Sequence, residues 1–326
     1  MSIAAPLPAG LAGRAIGAAP VLIFAAMLIY IGTQSPNFIS LITLKLVLEQ
    51  SLPVVLICMG MAVVVMAGGD DVVSGGIDLS VPATTVLCAG IIAHWLSGGG
   101  GLGAAAVLGL GAALVVGVLN AGLVTRIGVT PLLTTLAMFT AVVGVNNMVT
   151  GRRRINVDEP LIIWLRDGDI LGFAPGVWIV ALVVLILYHL LHRTRFGLHL
   201  QAGGGNREAA EISGMNVRRG FALAFVLAAL TGFLASFFVL ARGSGSSPGV
   251  EDNLMLEMVL ATYMGAAFSP RRVVTLWGAV LGALLVGAIT IGFKSMGVNV
   301  FWLGFIKGSL ILTVVAFAAL ANRGRT

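Results

Sequence analysis

Long apolar runs separated by short polar segments set the pattern of this chain. A helix needs roughly 20 apolar residues to cross the hydrocarbon core of a bilayer, and runs of about this length fall at 17–34, 46–67, 79–97, 102–125, 130–149, 176–192, 219–241, 253–268, 273–292 and 301–321. The runs do not alternate apolar and polar residues as the strands of a membrane barrel do. The pattern therefore predicts an all-α polytopic membrane protein with about ten transmembrane helices.

Composition supports this class. Of 326 residues, 58% are hydrophobic and 10% are charged, whereas a soluble domain needs far more charge on its surface. The third and eighth runs carry or adjoin glycine, proline and acidic residues, so we expect short or broken helices there. We expect a single transmembrane domain over residues 1–326, with a cytoplasmic loop at about 193–218. Cys58 and Cys88 lie in apolar runs and are expected to be small buried hydrophobic residues.

Lysine and arginine positions predict the orientation. If the N-terminus is cytoplasmic, about eleven arginines lie inside and about seven basic residues lie outside, and this bias predicts that both termini are cytoplasmic. The outside segment near 151–175 begins with three arginines at 152–154 and also carries four acidic residues. We therefore expect a folded extracytoplasmic hairpin there. The net charge of +6 comes from arginines near span ends, which gives no indication of nucleic-acid binding.

A polar stretch, GGGNREAAEISGMN, occupies residues 203–216 between two apolar runs. Asn206 is a good N-cap for a helix that Gly214 can end after two turns. On this helix the charged residues share one face and the small or apolar residues share the other: Arg207, Glu208 and Glu211 on the first, and Ala209, Ile212 and Ser213 on the second. A helix this short is unstable alone. Either it lies on lipid headgroups as an amphipathic connector, or a cytoplasmic partner binds it.

Four motifs resemble, in order, those of the ribose/galactoside-type permeases of bacterial ABC importers. They are GGIDLSV (75–81), GDILGFAPGVWI (168–179), RTRFG with AGGGNREAAEISGMNV (193–217), and LGFIKGSLIL (303–312). The resemblance implies an inner-membrane permease subunit that translocates a monosaccharide or related polyol. It also implies a second permease subunit, in a homodimer or heterodimer, a cytoplasmic ATPase and a periplasmic sugar-binding protein. GGDDVV, at residues 68–73, looks like a local insertion or duplication relative to that family.

In that family the cytoplasmic loop forms a coupling helix that sits in a groove of the ATPase. Carried over by motif, the coupling residues are Gly205, Asn206, Glu208, Ala209, Ala210, Ser213 and Gly214. The chain lacks the G-x-x-x-x-G-K-[ST] motif that cradles ATP phosphates, and none of its three lysines follows a glycine. We therefore expect no cofactor on this chain, with ATP and Mg on the partner ATPase.

Polar residues within the apolar runs are candidates for the solute path or a gate. They are Asp78, Ser80, Asn120, Asn146, Asn147 and Glu257. Asp78 either caps the following helix through the amides of Ser80 and Val81 or faces the path. Glu257 either gates a cavity or makes an interhelical hydrogen bond. The three asparagines either tie helices together or meet sugar hydroxyls.

Two other functions fit parts of the sequence. An ion-coupled secondary transporter could use Asp78 and Glu257 as proton or sodium sites, but this leaves the short polar helix unexplained. A serine enzyme could use Ser247, at the centre of GSSPG (245–249). That match lies in a loop without the strand, turn and helix that normally present such a serine. We therefore expect a transport subunit and not an enzyme.

Overall fold

The computed structural model describes residues 11–69, 75–269 and 273–323. Their α-helices are α1 (Leu11–Gln34), α2 (Leu41–Gly68), α3 (Val81–Ser97), α4 (Leu102–Gly122), α5 (Pro131–Thr150), α6 (Pro160–Asp167), α7 (Pro175–Arg193), α8 (Arg195–Gly205), α9 (Arg207–Ile212), α10 (Val217–Gly243), α11 (Val250–Ala267), α12 (Leu276–Ser295) and α13 (Val300–Arg323). A 3-10 turn covers Pro36–Phe38, and a π-helical turn, Leu123–Ile127, extends α4. Two short strands, β1 (Ile155–Asn156) and β2 (Gly245–Ser246), pair antiparallel.

Six helices are long and apolar enough to cross a membrane by length and composition. They are α2, α4 with its π turn, α5, α7, α10 and α12. The predicted all-α polytopic membrane class is therefore confirmed. The other four predicted runs coincide with α1, α3, α11 and α13.

The third and eighth runs form continuous helices. α3 has 17 residues and is short, as expected, while α11 runs unbroken for 18 residues. The irregular backbone precedes α3, at residues 75–80. In α11 the acidic residues Glu251 and Asp252 lie in the first turn, where they favour helix formation through the helix dipole. Residues 70–73 of the GGDDVV segment lie outside the described residues.

Two helices form the centre of the bundle. The apolar window of α2 is 89% buried, and α10 packs against α2, α3 and α4. By contrast, the windows of α4 and α5 are each 28% buried. A helix that is apolar all round and buried belongs to a protein core. α2 and α10 are therefore the core helices, and α4, α5 and α7 expose apolar faces at the periphery.

Chain direction defines two ends of the bundle. α7 runs from α6 to the pair α8 and α9, and α10 returns to β2, which pairs with β1. We call the end with α6, β1 and β2 the α6 end, and the opposite end the α9 end. α2 begins at the α6 end, where the Lys45 Nζ lies 5.5 Å from the centre of the Phe173 ring.

Close backbone contacts occur where α2 reaches the α9 end. A Cβ on Gly76 would lie 2.0 Å from the Val64 carbonyl oxygen, and a Cβ on Gly204 would lie 2.2 Å from the Met66 carbonyl oxygen. Glycine is therefore required at both positions for this packing. The contact places α8 directly against the last turns of α2.

Candidate functional site

The short polar helix predicted between two spans is present as α9. The Asn206 side chain accepts a hydrogen bond from the Ala209 amide at 2.9 Å, as expected of an N-cap. Gly214 follows the helix with a φ of +79°, a conformation that glycine adopts without steric cost. Asn216 then caps α10 by accepting from the Arg219 amide at 2.9 Å.

The predicted coupling residues fall into two groups by exposure. Ala210 is buried and faces the rest of the chain, so it anchors α9. The others are exposed, namely Gly205, Asn206, Glu208, Ala209, Ser213 and Gly214. On the same surface, the Arg207 Nε donates to Glu211 Oε1 at 3.0 Å, and Ile212 is 81% exposed. α9 therefore presents charged, small and apolar groups together.

α8 connects α9 to the core, and the sequence analysis missed it. The Thr194 side chain caps α8 by accepting from the Gly197 amide, and Gln201 Nε2 donates to the Leu191 carbonyl at 2.7 Å. α9 packs against α8, and Gly204 of α8 packs on α2, so α8 connects α9 to a buried core helix.

A cavity of 690 Å³ with polar and apolar walls lies at the α6 end, between α2, α10, α11, α12 and α13. Its polar lining residues include Gln50, Arg242, Asn253, Glu257, Lys294 and Lys307, and its apolar lining includes Val54, Val250 and Leu303. Binding sites for small molecules commonly have this size, roughly 300–1,000 Å³, and combine apolar walls with a few polar groups. Glu257, predicted as a path or gate residue, is one of these lining residues.

A buried ion pair lies on the wall of this cavity. The Lys307 Nζ donates to Glu257 Oε1 at 2.6 Å, and the two side chains are only 6% and 11% exposed. The pair joins α13 to α11. Burying two charges is costly unless they pair, so Lys307 accounts for the presence of a carboxylate within an apolar helix. The predicted interhelical contact of Glu257 and its place on a cavity therefore occur together.

The cavity rim is held by contacts between distant loops. Arg154 Nη2 donates to the Gly243 carbonyl at 2.6 Å, and β1 pairs with β2. Arg166 also contacts the Ser244 hydroxyl. It lowers the pKa of the Asp167 carboxyl through their mutual hydrogen bond. The segment near 151–175 is folded, as predicted, but it consists mainly of β1 and α6, and β1 pairs with β2 of the loop between α10 and α11. The segment therefore braces that loop.

Ser247 lies in that loop and lines the cavity. It lies in the loop between the two-residue strand β2 and α11, as the sequence predicted, and β2 belongs to a pair of two-residue antiparallel strands and not to the larger sheet that normally presents such a serine. None of the described residues that line the cavity is a histidine. A histidine base for a serine nucleophile is therefore absent from this part of the described structure.

Asp78 belongs to a separate polar cluster, which does not line the cavity. Its Oδ1 accepts from the Ser80 amide at 2.9 Å and from the Ser80 hydroxyl at 2.6 Å. Asn120 of α4 donates to the Ser80 hydroxyl at 2.8 Å. The expected second cap, to the Val81 amide, is not among the hydrogen bonds of the described residues. Asp78 therefore braces the segment before α3 and ties it to α4.

Asn146 and Asn147 lie on α5 in different settings. Asn146 is 1% exposed, and a Cβ on Gly90 of α3 would lie 2.4 Å from its Oδ1. Asn147 is half-buried. Asn146 therefore packs tightly between α5 and α3, and neither asparagine is among the described residues that line the cavity.

Comparison with known proteins identifies the family. Residues 43–315 match the family model described as "Branched-chain amino acid transport system / permease component". A probable ABC transporter permease protein, y4mJ, of Sinorhizobium fredii is 31% identical over 306 residues, which cover 92% of this chain and 87% of that protein. No solved structure gives a significant match.

Two further relatives are named for the sugars they import. The ribose import permease protein of Escherichia coli K12 is 28% identical over 289 residues, covering 87% of this chain and 88% of that protein. The fructose import permease protein of Rhizobium meliloti is 28% identical over 311 residues, covering 92% and 84%. With its helical membrane fold and a family match over most of its length, the chain belongs to this family of ABC-transporter permease components.

Proposed function

We propose that this protein is the transmembrane permease subunit of a bacterial ABC importer, and that it carries a monosaccharide or related polyol across the inner membrane. Family membership supports the transport role, and the names of the relatives support the solute class. The observation that carries the proposal is α9. It is an exposed, capped two-turn helix, and α8 connects it to the most buried helix of the bundle.

The proposed topology has ten crossings, by α1, α2, α3, α4, α5, α7, α10, α11, α12 and α13. The chain then forms one transmembrane domain with both termini in the cytoplasm, in accord with the excess of arginine on that side. The α9 end, with the loop at about 193–218, is cytoplasmic. The α6 end and its cavity face the opposite compartment.

In this arrangement α9 is the coupling helix. Ala209, Ser213 and Gly214 are small, so a groove of an ATPase subunit can approach the helix closely. Glu208, with the Arg207–Glu211 pair, sets the register by charge complementarity. Asn206 holds the first turn, Ala210 anchors the helix to the permease, and Gly205 joins it to α8. Motion of the ATPase then reaches α2 through the contact of Gly204.

The proposal assigns separate roles to the partners. A cytoplasmic ATPase binds ATP and Mg, because this chain has no phosphate-binding loop motif. A periplasmic binding protein delivers the sugar to the α6 end. A second permease subunit, identical or homologous, completes the pathway, and lipid surrounds the outer helices. Neither a cofactor on this chain nor a nucleic acid takes part.

For the solute path we propose that Glu257 acts at the cavity as a gate residue. Asp78, Ser80 and Asn120 act at a distance from the cavity, by fixing the start of α3 against α4. Asn146 and Asn147 hold α5 against its neighbours. Among the predicted path residues, Glu257 is therefore the one assigned to solute contact.

Ion-coupled secondary transport is the less supported alternative, because relatives are named as a probable ABC transporter permease and as sugar import permeases. Reconstitution separates the two. The purified chain in liposomes should show no uptake of D-ribose driven by a proton or sodium gradient. With its ATPase and binding protein, ATP should drive uptake of the sugar that the binding protein carries. Gradient-driven uptake by the chain alone would overturn the importer assignment.

A further inference from the structure

The Glu257–Lys307 pair has hydrogen-bonding capacity beyond its own contact. An ammonium group carries three N–H donors, and a carboxylate carries two acceptor oxygens. The observed bond, from Nζ to Oε1, uses one donor and one oxygen. Both residues line the 690 Å³ cavity, so a donor and an acceptor lie side by side on its wall.

The position of the pair suits a solute that enters from the α6 end. Glu257 lies seven residues after the start of α11, which is about 10 Å along the helix axis. Apolar side chains lie on the same walls, among them Val54, Val250 and Leu303. A sugar also combines C–H surfaces with hydroxyl groups, and each hydroxyl can donate and accept.

We propose that the Glu257–Lys307 pair is a binding site for a vicinal diol. One hydroxyl of the diol donates to the Glu257 carboxylate, and its neighbour accepts from the Lys307 ammonium. The spacing of the two charged groups resembles that of neighbouring hydroxyls, so a 1,2-diol can bridge both. An analogue that lacks one hydroxyl covers the cavity wall but leaves the second oxygen of Glu257 or the remaining N–H donors of Lys307 without a hydrogen bond, which is costly. The inference rests on the proposed function only in taking the cavity as part of the solute path.

Binding can be measured on the permease alone. Cys58 and Cys88 are fully buried, so a cysteine placed at the cavity by Asn253→Cys is the accessible thiol for a maleimide. The probes are methyl β-D-ribofuranoside, which has a vicinal diol, and methyl 2-deoxy-β-D-ribofuranoside, which has none. We expect the ribofuranoside to protect the cysteine at about tenfold lower concentration than the deoxy compound, since hydrogen bonds to charged groups are strong.

Two further variants, each in the Asn253→Cys background, assign the preference to the pair. Glu257→Gln with Lys307→Met removes both charges at similar volume, and the two probes should then protect equally. Exchange of the charges, Glu257→Lys with Lys307→Glu, retains a donor beside an acceptor and should retain the preference. Equal protection by both probes with the unmodified pair, or an unchanged preference in the neutral variant, would overturn the proposal. Neither result depends on ATP-driven uptake, so the importer assignment is tested separately.

Discussion

At the scale of single residues, the structure separates the acidic groups that the sequence grouped together. Glu257 is paired with Lys307 on a cavity wall, whereas Asp78 accepts two hydrogen bonds from Ser80 away from that cavity. A buried polar group that is hydrogen-bonded stabilises the fold, and removal of its partner is costly. We therefore expect Asp78 to hold the start of α3 in place and Glu257 to contact the solute.

Substitutions of Asp78 test this division. Asparagine can also accept from Ser80, so Asp78→Asn should keep most ATP-driven uptake at every pH tested. Asp78→Ala removes the acceptor and should lower the free energy of unfolding by about 1–3 kcal/mol. Thermal unfolding of the purified variants and uptake at several pH values provide the measurements. A large loss of uptake in Asp78→Asn at normal abundance would show that the charge itself is needed.

Gly204 provides a second test at this scale. A Cβ there would lie 2.2 Å from the Met66 carbonyl oxygen, so Gly204→Ala should destabilise the protein by about 1–3 kcal/mol through overpacking. Gly220 of α10 has open space around it. Gly220→Ala should therefore stabilise the helix by about 0.5–1 kcal/mol. Equal melting temperatures for the two variants would contradict the described packing of α8 on α2.

At the scale of elements, the lengths of the apolar runs predicted where helices occur. Lipid and the protein core both exclude water, so the backbone N–H and C=O groups in either place must be hydrogen-bonded within the helix. Capping residues also predicted α9, since Asn206 and Gly214 act locally. α8 was missed because three consecutive glycines, 203–205, argue against a helix. Glycine is needed at position 204 because α2, which is remote in sequence, packs directly against it. The Glu257–Lys307 pair was also missed because its partners are remote in sequence. A contact between α11 and α13 leaves no trace in the spacing of apolar residues along either helix.

The contact between Arg154 and the loop that joins α10 to α11, at the cavity rim, can be tested by substitution. Arg154→Ala removes the hydrogen bond to the Gly243 carbonyl, so the amides of the loop at 243–249 should exchange with deuterium several-fold faster. Arg153→Ala is the matched control, because the Arg153 side chain is exposed and belongs to the same turn. Unchanged exchange in the Arg154 variant would show that the strand pairing and the Arg166 contact hold the loop without Arg154.

At the scale of the whole molecule, the two functional regions lie at opposite ends of the bundle. The cavity and the diol-binding pair lie at the α6 end, and α9 lies at the α9 end. α2 connects them, because it lines the cavity through Gln50 and Val54 and contacts Gly204 near its last turn. The account therefore predicts that ATPase motion changes the cavity through displacement of α2.

The central claim, that α9 couples the ATPase to the permease, is tested most directly at Ala209. This residue is exposed on α9, so Ala209→Arg should leave the fold intact while it obstructs a closely fitting groove. Ala209→Ser is the matched control of small size. The measurement is ATP hydrolysis by the reconstituted importer, with and without sugar-loaded binding protein. We expect Ala209→Arg to reduce the stimulation about tenfold, equivalent to about 1.4 kcal/mol, and Ala209→Ser to retain it. Full stimulation in Ala209→Arg would contradict the account and leave α9 as a connector on the lipid headgroups.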